Sequence, residues 1–191
     1  MELETQEHLE HAEHAAHAAH EGNSFITTVS MTIAILAVIA ATVGSMETLA
    51  TGSAIAEKNA AVLKQSQASD QWAFYQAKSL KKNMYEIAAA QATATGGKPE
   101  EFEKSAKRYD GETEEIKKKA EELEHERDEK LAEGDHFEHR HHILTIAVTI
   151  IHVAIAIATV AIITKGQKWP WYASIALAIV GMGVAAKAYI G

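Results

Sequence analysis

Histidine is the residue type in this chain whose numbers and spacing point most directly to chemistry: eleven are present, against no cysteine. Five recur at steps of three near the amino terminus, His8, His11, His14, His17 and His20, with Glu7, Glu10 and Glu13 between them. A step of three drifts about 60° around a helix, so the five cannot share one face. A neighbouring set such as His11, His14 and His17 still has the donors that zinc, nickel or copper takes, so a divalent metal is the one candidate cofactor. The bland alternative is an acidic, alanine-rich helix, solvated or interfacial, that merely tolerates imidazole.

A second group, His136, His139, His141 and His142 with Asp135 and Glu138, stands just before an apolar stretch. His139 and His142 are three apart and suit a ligand pair or, equally, a cluster that answers to pH, although plain interfacial solvation is favoured over either. His152 lies deeper, on one helical stripe with Thr145 and Thr149. There it is expected to be neutral and bonded to those hydroxyls or to a neighbouring helix, unless it relays protons. With no cysteine there is no thiolate nucleophile and no cysteine-based metal centre. The sequence also holds no P-loop, dinucleotide fingerprint, HExxH or GxSxG pattern, so no enzyme activity is expected.

The elements that must hold these residues follow from charge and length. Residues 25–46, 143–163 and 171–188 are almost free of charge and close to the ~20 residues a bilayer core requires. The whole-chain averages of 47% hydrophobic and 23% charged residues hide this, because they blend apolar spans with a polar arm. The boundaries expected are a His-rich acidic tail at 1–22, membrane helices at 23–47, 141–164 and 169–189, and a charged segment at 48–140. The acidic start and the length of the first span argue against a cleaved signal. Each span has small or polar residues at helical spacing: Ser30, Ala34, Ala37, Ala41 and Ser45; Thr145, Thr149, His152, Ala156 and Thr159; Ser174, Ala178, Gly181 and Ala185. Such faces allow close packing in a bundle.

In the charged segment, helix formers run from Ala54 to Ala94, and Thr95-Gly96-Gly97-Lys98-Pro99 then forces a turn. Pro99 with Glu100, Glu101 and Glu103 opens a return helix, with Gly111 and Gly134 as kink candidates. On it Phe102, Tyr109, Ile116 and Leu123 recur every seventh residue with Ala106 and Ala120 between, the seam of a coiled coil. The outgoing helix offers Ala73, Ala77, Leu80, Met84 and Ile87 as the matching stripe. The fold class expected is therefore all-α: three transmembrane helices with a long antiparallel helical-hairpin stalk inserted between the first and second, each arm about 60 Å long. Trp72 and Tyr75 lie off that stripe and are expected to meet another subunit, making the chain a homo-oligomer.

Lys58, Lys64, Arg127, Lys130, Arg140 and Lys187 fall on the side of the arm and carboxyl terminus, against Lys165 and Lys168 opposite. That excess places the stalk in the cytoplasm and the amino terminus outside. A formal charge of −8 disfavours nucleic acid as a partner and leaves the lipid bilayer and other membrane proteins.

In order along the chain come HLEHAEHAAHAAH, an apolar span, ASDQWAFYQAKSLKKNMYE, a charged helical return, and two closing spans after HRHHI. Over essentially its whole length, and most specifically at DQWAFYQAK (residues 70–78), the chain resembles the domain of unknown function 4337 family. The resemblance implies a bacterial inner-membrane protein and carries no catalytic residue with it. The function expected is a non-enzymatic oligomeric scaffold or interaction protein. The alternatives are proton or divalent-metal transport or sensing through the histidines, or an accessory subunit of a larger membrane complex.

Overall fold

The structure, a computed structural model, describes residues 24–164 and 167–190. His11, His14 and His17 lie outside the described residues. Three helices follow in order, α1 (Ser24–Ala94), α2 (Glu100–Ile163) and α3 (Trp169–Lys187), and no strand occurs among the described residues. The two long helices, 71 and 64 residues, run without interruption. Neither Gly111 nor Gly134 interrupts α2. All three helices contain stretches long and apolar enough to cross a membrane.

The turn between α1 and α2 forms where glycine permits it. Gly96 takes φ +74, Gly97 N–H donates to Ala92 O at 2.8 Å, and Gly96 N–H donates to Thr93 O at 3.2 Å. This pair of bonds satisfies carbonyls that a helix end leaves open, and its left-handed residue is one that only glycine adopts without strain. Pro99 O then accepts the first bond of α2 from Glu103 N–H, and Glu100, Glu101 and Glu103 place negative charge at the positive end of the helix.

The chain divides into two compact units. In the first, residues 24–54 and 136–190, the core is formed by Val29, Ile33, Leu36, Ala40 and Val43 of α1 against Leu144, Ala147, Ile151, Ala154 and Ala158 of α2. From α3, Ser174, Ala178 and Gly181 are buried. A Cβ at Gly181 would stand 2.8 Å from Ile151 Cγ1 and 3.2 Å from Ala147 O, so the absent side chain lets α3 lie against α2. The small-residue face foreseen on α3 is thus its packed face, whereas those foreseen on α1 and α2 are split between the packing and the outside, with Ser30 buried and Ala37, Thr145, His152 and Thr159 half-buried. Ala34, Ala41 and Ser45 are exposed, as are Thr149 and Ala156.

In the second unit, residues 55–135, both helices step by seven. Ala61, Ala68 and Ala89 of α1 are buried, as are Ala106, Thr113 and Ala120 of α2, with Gly134 further along the same series. A Cβ at Gly134 would meet Lys58 Cγ at 2.9 Å, so this glycine permits close approach instead of bending the helix. Of the seven-residue series foreseen on α2, Leu123 is buried and Tyr109 and Ile116 are half-buried, whereas Phe102 is exposed. On α1 the expected stripe is reversed: Leu80, Met84 and Ile87 are 62%, 61% and 66% exposed, and Ala73 and Ala77 lie on the same outward side. The seam instead takes Tyr85, stacked on Tyr109 at 5.6 Å, and lysines whose stems lie along it while their amines reach acids on α2.

Those pairs hold one antiparallel register: Lys58 with Asp135, Glu57 with Lys130, Lys64 with Glu126, Lys78 with Glu112 at 2.6 Å, and Lys82 with Asp110 at 2.5 Å. The face of α1 that turns inward is the one that carries these charges. The bond from Lys78 holds the Glu112 carboxyl below its ordinary value, Lys64 does the same for Glu126, and Lys130 for Glu133. The bond to Asp110 raises Lys82, and Glu133 and Glu57 raise Lys130.

A depressed carboxylate adds stability that is present above its ordinary 4.5 and disappears as pH falls through its lowered value. A raised amine adds stability that is present below 10.5 and disappears as pH climbs through its raised value. Helix melting of the full-length protein in mild detergent, followed by circular dichroism, should therefore show a plateau between those limits and a falling midpoint below about pH 4. It should also show a lower midpoint in about 1 M salt, where exposed pairs are screened. A midpoint indifferent to both acid and salt would contradict the register of ion pairs.

Candidate functional site

Polar and aromatic groups gather at the two ends of the first unit. At one end Glu47 and Thr51, a turn apart on α1, face His141 and Thr145, a turn apart on α2. Thr145 Oγ1 donates to Glu47 Oε1 at 2.7 Å and also lies 3.0 Å from His141 O. Thr51 Oγ1 donates to Glu47 O at 3.1 Å and stands 2.8 Å from His141 Nδ1. A hydroxyl has a single proton, so with that proton on the Glu47 carbonyl the imidazole must carry hydrogen on Nδ1 and donate to Thr51. The same N–H lies 3.5 Å from Glu47 Oε1, and both side chains are only about a third exposed or less. The arrangement joins α1 to α2, retains a carboxylate at the edge of an apolar core, and places an imidazole where it can share a proton with that carboxylate.

Beside it, Arg140 lies over the Tyr189 ring at 4.7 Å and the Phe137 ring at 5.7 Å, fixing the turn after α3 to α2. Its Nη2 is 3.3 Å from His136 Nε2. Guanidinium only donates, so in this contact His136 Nε2 is the acceptor. His139 and His142 point outward. Among the described residues no group of three His, Cys, Asp or Glu is placed to hold a metal ion.

At the other end Trp171 Nε1 donates to Thr32 Oγ1 at 3.1 Å, its ring meets Phe25 edge-on at 5.9 Å, and Tyr172 lies 4.9 Å from it. Trp169 and Tyr172 are exposed. Between the two ends, the stretch of α1 from Phe25 to Glu47 spans about 33 Å, close to the ~30 Å hydrocarbon thickness of a bilayer. Apolar side chains face outward as well as inward over this layer, with Met31, Val38, Val153 and Ile179 all exposed.

Of the residues singled out in sequence, Thr145 belongs to the Glu47 group. Thr149 is exposed with its hydroxyl bonded to Thr145 O, and His152 is half-buried further along α2. Trp72 and Tyr75 pack edge-to-face at 5.6 Å, and Trp72 Nε1 donates to Glu124 Oε1 of α2 at 2.9 Å. Both are half-buried, Tyr75 seven residues after the buried Ala68. Glu47 and Thr51 were missed in sequence. Their signal was an acid directly after the first apolar stretch, at the same four-residue spacing to a threonine as His141 to Thr145.

The family described as Domain of unknown function (DUF4337) matches residues 25–191. The chain belongs to that family. The match includes all three helices apart from the first residue of α1, and with them both ends of the apolar layer. Comparison with curated proteins and with solved structures finds no match.

The Glu47–Thr145 bond predicts measurable coupling between its partners. In a double-mutant cycle of Glu47→Leu and Thr145→Val on the full-length protein in detergent, the coupling should be about 1 kcal/mol, the usual net worth of a hydrogen bond. Additive effects would show that the two side chains do not depend on each other.

Proposed function

We propose that this DUF4337 protein is a three-span integral protein of the bacterial inner membrane that acts without catalysis. In this role it is a scaffold that holds a helical-hairpin arm in the cytoplasm and assembles with copies of itself. The observation that carries the proposal is the apolar layer of the first unit. A helix group of this kind in water would bury its aliphatic residues and cover its outer face with charge; here Met31, Val38, Val153 and Ile179 remain outside. The layer has the thickness of a bilayer core. Trp169, Trp171 and Tyr172 stand at one edge, as aromatic residues do at a lipid–water boundary, and Glu47, His141, Arg140 and Lys187 stand at the other.

Several hydroxyl groups within the layer are satisfied locally. Thr28, Thr32, Thr42 and Ser45 bond carbonyls one turn back on α1, which removes much of the cost of placing them in lipid. The polar contacts of the candidate site join helix to helix, which suits a structural role. The outward small residues Ala34, Ala41 and Ala156 leave room for close contact with a neighbouring membrane helix. The excess of Lys and Arg on the side of the arm supports a cytoplasmic hairpin.

Carbonate washing of membranes should leave the chain in the pellet, and an impermeant thiol reagent applied to intact cells should label the Lys168→Cys variant but not Lys118→Cys. Release by carbonate would refute membrane insertion, and labelling of both variants or of Lys118→Cys alone would refute the orientation.

A further inference from the structure

Within the second unit α1 carries two seven-residue stripes on opposite sides. One, through Ala61, Ala68, Tyr75, Lys82 and Ala89, is taken up by the packing with α2 described above. The other, Ala73, Ala77, Leu80, Met84 and Ile87, steps by four, three, four and three and is open to solvent, with Phe74 beside it 48% exposed. This is the spacing at which one helix meets another side by side. It contrasts with the outward face of α2, where Glu114, Glu115, Lys118, Glu121 and Glu122 are all exposed.

We infer that this open stripe docks onto the same stripe of a second copy of the chain, the two α1 helices running in parallel. The inference rests on the proposed membrane insertion, which holds the copies in one bilayer with one orientation. The flanking residues decide the occupant. They are Phe74, Lys81 and Ala88 along one edge and Gln76, Asn83 and Ala90 along the other, with Lys81 the single charge. Parallel pairing sets Gln76 of each copy beside Lys81 of the other, and Asn83 beside Ala88, so no like charges meet and the Gln76 amide oxygen can accept from the Lys81 amine. A face built for an anionic lipid surface would have cations along its polar border, and a face built for an acidic partner would need more than one. The contact also has a natural end. Asp70 continues the stripe one step before Ala73, and two copies would bring these carboxylates together.

From Ala73 to Ile87 the stripe is about 21 Å long. That is too short for the ~1,200 Å² or more that a stable soluble complex buries. Anchoring both copies in one membrane raises their local concentration and removes this shortfall. The pairing should accordingly be strong in membranes and weak when the protein is diluted in detergent.

Because the chain has no cysteine, single replacements report contact without background. Leu80→Cys and Met84→Cys in the full-length protein in native membranes, oxidised briefly, should yield dimer at least about tenfold faster than Glu115→Cys and Glu122→Cys on the outward face of α2. Adding Leu80→Lys to Met84→Cys should abolish that advantage while leaving helix content unchanged. Three results would each overturn the inference: equal rates for all four variants, cross-linking of Leu80→Cys and Met84→Cys to a protein of different mass, or a dye on the Leu80→Cys thiol reporting lipid contact without dimer. If such a result comes with a chain that stays in carbonate-washed membranes, only the stripe is wrong; if the chain is released, the membrane reading falls with it.

Discussion

An apolar layer about 30 Å thick, whose side chains point outward as freely as inward, sets the terms for the rest of the first unit. In the bilayer proposed for it, backbone groups there would have no water to bond, and continuous helices such as α1, α2 and α3 would satisfy them. Thr28, Thr32, Thr42 and Ser45 of α1 comply by bonding their own helix. Charge withdraws to the edges, where Glu47 finds Thr145 and His141, and Arg140 finds the Tyr189 ring. Each polar contact is placed where desolvation is partial, so the group keeps its partners without a fully buried charge.

The second unit answers a different constraint. Two helices in water must cover one another with little apolar material, and they do so by narrowing the seam at Ala61, Ala68, Ala106 and Ala120 and by pairing lysines of α1 with acids of α2. Small residues bring the backbones near, lysine stems cover the alanines, and the charged ends meet across the seam. The same economy leaves the aliphatic residues of α1 unused by its own partner, which is why an open stripe exists at all.

Much of this was legible in the sequence. The three apolar stretches, the glycine turn before Pro99 and the seam through Tyr109, Ile116 and Leu123 follow from charge, backbone freedom and spacing, each a local property. The inward face of α1 was not legible in the same way. Hydrophobic periodicity favours Leu80, Met84 and Ile87, yet the structure turns Lys78, Lys82 and Tyr85 inward, because their partners Glu112, Asp110 and Tyr109 lie far away in sequence and become visible only once the register is known. The Glu47 group was hidden for the same reason. Gly111 and Gly134 looked like interruptions, but the helix formers on either side outweigh the roughly 1 kcal/mol cost of one glycine, and Gly134 has its use in the approach of Lys58.

The central claim, that the first unit occupies a bilayer with its aromatic edge at the headgroups, is tested most directly by the depth of its tryptophans. Single-tryptophan forms keeping Trp171 or Trp72, reconstituted into vesicles with brominated lipids, would be compared by fluorescence. The account predicts that Trp171 is quenched most by bromine placed near the headgroup and less by bromine at the bilayer centre, while Trp72 is quenched by neither. Equal indifference of both tryptophans to every brominated lipid would contradict it.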